Sequence, residues 1–209
     1  MKRLCLVLLI TILLIGCSSN QEKITNNEIS EGSYVITPTS LFQSKELKKL
    51  KPHLDMRTGS VEIQYKGNKE RLRTKYEVWK NGELETSNEN FGISIEYNNK
   101  EKKVYTGSIS ISIKDNLLLD NSKSSENMIM TTAIDGSNTR RIIDRYDLRY
   151  SSSEFHLRDS IETKDSKETA IWALIGIDDQ KNKGYSPELT IEETVKDVDW
   201  ALVVKVYFE

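Results

Sequence analysis

Cysteine is nearly absent from this chain: the two that occur, Cys5 and Cys17, both fall within the first seventeen positions. Everything after them is closed to disulfide frameworks, thiolate metal sites and dithiol redox chemistry. Histidine is equally scarce, and His53 and His156 lie in different kinds of segment, without an H-E-x-x-H pattern. A zinc centre would want more ligands at closer spacing, and neither a metal nor another cofactor is called for. G-x-S-x-G, S-x-x-K, G-x-G-x-x-G and the P-loop are missing together, which removes the usual signals of hydrolase, transpeptidase and nucleotide-binding chemistry. An excess of basic charge is missing too: 30 Lys and Arg face 32 Asp and Glu, for a formal charge of −2, which is not the balance of a nucleic-acid binder. Long apolar runs are limited to one near the start, Leu4 to Ile15, broken only by Thr11. It is shorter than the roughly 20 residues needed to cross a bilayer as a helix.

What surrounds that run gives it a meaning. Lys2 and Arg3 precede it and the small residue Gly16 follows it, which is the basic, apolar, small order of a signal peptide over residues 1–16. The stretch Leu14-Ile15-Gly16-Cys17 resembles the lipobox of bacterial lipoproteins. The resemblance implies that the Cys17 sulfur takes a diacylglyceryl group and that a peptidase cuts just before it. The partner so implied is membrane lipid, and the place is the extracytoplasmic face of the cell membrane. Two acyl chains on one residue pass the threshold for stable anchoring, whereas a single chain of about fourteen carbons binds only marginally. Loss of residues 1–16 removes Lys2, Arg3 and no acid, taking the formal charge from −2 to −4. Residues 17–30 have no sustained period and few apolar side chains, so they read as a flexible linker.

Residues 31–209 carry the fold. Ser40-Leu41-Phe42-Gln43 matches a capping box, Leu47, Leu50 and Leu54 recur at helical spacing, and Pro52 should end or kink that helix. From Gly59 the period becomes two. Val61, Ile63 and Tyr65 share one face; Leu72, Tyr76 and Val78 alternate with Arg71, Arg73, Lys75 and Glu77. Asn81-Gly82 supplies the two positive-φ positions of a type I′ hairpin, and Asn98-Asn99 and Asp135-Gly136 mark further turns. Phe91 to Tyr97, Tyr105 to Ile113 and Met128 to Ile134 alternate, a strand polar on one face runs from Arg141 to Tyr150, and Phe155-His156-Leu157 is a short one. Ala170 to Ile177 and Val198 to Phe208 are apolar at nearly every position, as central strands covered on both faces must be. The expected architecture is mainly β: an antiparallel β-sandwich, or a barrel-like closure of it, in a single domain with a short N-terminal helix.

Two features bear on function. Acidic pairs follow and precede the apolar strands, Asp178-Asp179 on one side and Glu192-Glu193, Asp197 and Asp199 on the other; solvated loop charge explains them without a calcium site. The densest basic patch is the stripe Arg71, Arg73, Lys75, with Lys66, Lys69 and Lys80 nearby. It suits anionic headgroups or wall polymer, and it equally suits the solvent face that any such strand presents to water, which is the reading favoured here. The segment Tyr76 to Gly82 behind a lysine-rich helix looks like a hairpin of uncharacterised surface lipoproteins of low-GC Gram-positive bacteria, a resemblance that implies a fold neighbourhood and no activity. Two function classes remain. One is a non-enzymatic binding or interaction module for an envelope protein or anionic polymer; the other is a cell-envelope hydrolase acting on wall polymer or peptide, which would bring Asp178, Glu192 and His156 together.

Overall fold

A computed structural model describes residues 29–98, 103–116, 127–144, 150–178 and 189–209. Cys17, the signal segment and the linker up to residue 28 lie outside the described residues, as does part of the Asn98-Asn99 turn. Among the described residues eleven strands form two antiparallel sheets. They are β1 (Ser33–Thr39), β2 (Arg57–Lys66), β3 (Arg71–Lys80), β4 (Glu83–Ser94), β5 (Val104–Asn116), β6 (Asn127–Ile134), β7 (Ser137–Asp144), β8 (Tyr150–His156), β9 (Ile161–Lys164), β10 (Thr169–Asp178) and β11 (Trp200–Phe208). One sheet runs β7-β6-β5-β2-β1-β9 and the other β4-β3-β11-β10-β8. Among the described residues no ladder joins the two, so the fold is a sandwich and not a closed barrel.

The turns follow from residue chemistry. Asn81 and Gly82 sit at φ of 49° and 79°, Asp135 and Gly136 at 47° and 84°, and each pair closes a two-residue hairpin. Gly82 is doubly constrained, because a Cβ there would stand 2.3 Å from the Lys196 carbonyl oxygen. Alternation fills the space between the sheets: Ile63, Tyr65, Ile109, Ile111 and Met130 from one side meet Leu174, Leu202, Val204 and Phe208 from the other. Tyr65 stacks on Phe208 with ring centroids 4.1 Å apart. Gly59 admits the Trp172 indole, whose Cδ1 would lie 2.3 Å from an added Cβ.

β10 and β11 are buried on both faces, as their composition requires. A second cluster covers the outer side of this sheet, where Ala173, Ile175, Ala201 and Val203 pack under Ile191, Val195 and Val198. A bulge between Ala170 and Trp172 inserts Ile171 and reverses the alternation, so that Ala170 faces out while Ile171 and Trp172 face in. The short helix α2 (Ile191–Thr194) begins with a capping box formed by Thr190 and Glu193.

Several expectations need correction. The chain enters the sandwich through β1, a strand before the helix; Pro38 in it lies past the last β1–β9 pair, Ile36 with Ile161, where no neighbour on that side needs its missing N–H. The helix α1 is Lys45–Leu50, capped by Ser44, whose hydroxyl accepts the Leu47 N–H, whereas Ser40 accepts the Phe42 N–H in a local turn. A 3₁₀ turn, Lys51–His53, carries Pro52. The polar strand starts at Ser137, and Phe155 and His156 end the longer β8, which spans Tyr150–His156.

The strand ladders define two ends. Ser33, Lys66, Thr169 and Phe208 lie at the end where β1 begins. Thr39, Arg57, the Asn81–Gly82 turn and Asp178 lie at the other.

Candidate functional site

Arg71, Arg73 and Lys75 do share the outer face of β3, but acids already occupy them. Arg73 Nε donates to Glu209 Oε1 at 2.6 Å, Arg71 lies 3.5 Å from the same oxygen, and Glu89 stands 3.7 Å from Arg73. Lys75 reaches Glu168 and, at 3.4 Å, Glu77. Glu77 is 3 % exposed, buried beneath this row. Its carboxylate accepts from Lys205 Nζ at 2.8 Å and from the Trp79 indole N–H at 3.0 Å. Burial raises the Glu77 pKa, and Lys205, Trp79 and Lys75 more than offset that, holding the carboxyl below the usual range.

This network was only partly legible. The single charged residue inside Trp200–Phe208 is Lys205, and a lysine in a strand covered on both faces demands a buried acid, though the sequence does not say which. The strand pairing answers, since Lys205 lies opposite Lys75 and two residues from the Val203–Glu77 pair.

Beside the network, at the end where β1 begins, a cleft of about 510 Å³ opens between α2, the end of β8 and the β9–β10 turn. Phe155, Leu157, Ile161, Ala170 and Ile191 give it apolar walls; Arg158, Lys167, Glu168 and Lys205 add charge. His156 and Glu192 both line it. His156 Nε2 lies 3.3 Å from Glu154, and Glu192 Oε1 accepts the Ala170 N–H at 3.3 Å. Burial raises Glu154, and His156 together with the Thr58 N–H more than offsets this, leaving the carboxyl below its ordinary value. Asp178 does not join them: it ends β10, eight residues or about 26 Å from Ala170, where its N–H donates to Asp199 Oδ2 at 2.9 Å. His53 lies in the 3₁₀ turn after α1 and is not among the residues that line this cleft. Among the described residues no group of three or more His, Cys, Asp or Glu side chains is placed to hold a metal ion, and no helix is long and apolar enough to cross a membrane.

Comparison with known proteins finds no matching family model, curated protein or solved structure.

Proposed function

We propose that this chain is a lipid-anchored lipoprotein of the extracytoplasmic membrane face, held by diacylglyceryl Cys17, whose sandwich serves as a non-enzymatic binding or interaction module. The address rests on the Leu14-Ile15-Gly16-Cys17 stretch. The binding role rests on the cleft. It has apolar walls for the body of a ligand and, on its rim, Arg158 and Lys167, whose side chains have no ion pair among the described residues. That combination fits a segment of an envelope protein or anionic polymer presenting a carboxylate or phosphate beside an apolar group. Because Lys205 and Lys75 are already matched by Glu77 and Glu168, Arg158 and Lys167 are the lining residues with positive charge to offer, beside the acids Asp159 and Glu192.

The test is cross-linking of the envelope fraction to wild-type protein and to Leu157→Trp, which fills the cleft from its wall. A partner captured by the wild type and lost in Leu157→Trp and in Arg158→Glu supports the site; capture indifferent to both changes removes it. The hydrolase reading keeps one observation in its favour, the presence of His156 and Glu192 in one cleft. It requires turnover on wall polymer or peptide that disappears in Glu192→Gln.

A further inference from the structure

The apolar side of α1 is only about half covered by the fold. Leu47 and Leu50, three residues apart and so on one side of the helix, are 42 % and 51 % exposed, and Leu41 just before them is 38 % exposed. The helix buries none of its residues. Six residues are far below the length at which a helix persists on propensity, so the Ser44 cap and the buried Phe42 beside it hold α1 in place. The fold thus holds a short helix whose apolar side stays about half open to water.

Its surroundings indicate what covers it. Lys45, Lys48, Lys49 and Lys51, all exposed, flank the leucines against a single acid, Glu46. Protein–protein interfaces are poor in lysine and enriched in aromatics and arginine, and α1 has neither aromatics nor arginine. Leucine ringed by lysine is instead the composition of a helix lying in the headgroup region, its apolar side dipping inward while the ammonium groups stay with anionic phosphates.

The tether reaches far enough for a second contact. β1 runs about 20 Å from Ser33 to Thr39, and α1 starts six residues later, whereas the sixteen residues from Cys17 to Ser33 span roughly 55 Å at full stretch. We infer that α1 docks on the anionic phospholipid surface, as a second point of attachment beside the lipid on Cys17. The pairing of two attachments rests on the lipid-anchored reading; the affinity of α1 for lipid does not.

The experiment therefore uses the chain from Ser18 onward, which keeps both buried clusters, since these draw only on residues from Tyr34 to Phe208. It is sedimented with vesicles of phosphatidylcholine alone and of phosphatidylcholine with phosphatidylglycerol. Binding is expected to the anionic vesicles, weakening as salt rises. Leu47→Ser with Leu50→Ser should lower it about tenfold, and Lys48→Glu with Lys49→Glu should lower it as well, while the melting temperature stays near that of the wild type. A chain that ignores anionic vesicles at low salt overturns the inference and leaves α1 to a protein partner. Binding that survives both pairs of changes also overturns it, by placing the contact elsewhere. Fatty-acid labelling of Cys17 in cells is read separately, so failure of the anchor and failure of the helix are told apart.

Discussion

A carboxylate that has lost almost all contact with water stays charged only where cations and donors replace the solvent, and Glu77 meets that condition with Lys205, Lys75 and the Trp79 indole. Removing it strands Lys205, whose side chain is 16 % exposed, and leaves Lys75, 13 % exposed, with Glu168 alone. Glu77→Ala should therefore cost about 3 kcal/mol, read as a lowered urea midpoint. The pH dependence has a definite sign. Because the folded-state pKa is depressed, the stabilisation is fully present above the unfolded value of about 4.3 and is lost as pH falls through the folded one. Wild type should lose melting temperature between pH 5 and pH 3 more steeply than Glu77→Gln; parallel curves would show that the carboxyl is not held low. Packing gives a second expectation. Gly59→Ala drives a methyl group into the Trp172 ring and should destabilise by about 2 kcal/mol, with a shift in tryptophan fluorescence.

Among the elements, β3 shows where reading a face from sequence succeeds and where it stops. Alternation of Leu72, Tyr76 and Val78 with Arg71, Arg73 and Lys75 placed the basic residues on one side correctly. It did not disclose that the far end of the chain, Glu209, and the turn residue Glu168 lie against that side, because both contacts join positions far apart in sequence. The stripe is thus a set of ion pairs, and its members differ. Arg73→Glu meets Glu209 and Glu89 at the surface and should cost at most about 1 kcal/mol. Lys75→Glu sets a third carboxylate against Glu77 and Glu168 and should cost several times more by thermal unfolding; equal effects would mean that burial does not separate the two. The hairpins and the doubly covered β10 and β11 were legible because Asn-Gly, Asp-Gly and continuous apolar runs are local signals. β1 and β9 were not, since each is short and draws its strand character from β2 and from the other. The leucine period before Pro52 announced a helix and left open what covers its apolar side, because periodicity records which residues align and not what they pack against.

For the molecule as a whole, the folded unit and the attachment proposed at Cys17 are separable. Both buried clusters are built between Tyr34 and Phe208, while Cys17 lies upstream of the first described residue. Substitution at Cys17 should therefore alter location without altering the fold. Sheet-on-sheet packing accounts for cohesion: the two inner faces interlock through aromatic and branched side chains, and the outer side of β10 and β11 is closed by α2 and the residues after it. None of these contacts asks anything of a lipid. Cys17→Ala should thus give a chain whose far-UV spectrum and melting temperature match those of the soluble domain from Ser18, dominated by β structure with a small helical part. The same chain should lose fatty-acid label and keep the mass of residues 1–16, because the peptidase that the lipobox implies acts on the acylated cysteine. If the mutant still incorporates label, Cys17 is not the acylated residue and the lipoprotein reading fails. If it loses label but remains firmly with membranes at high salt, the signal run itself holds it there, since raised ionic strength screens the lysines of α1 and weakens their grip on anionic headgroups.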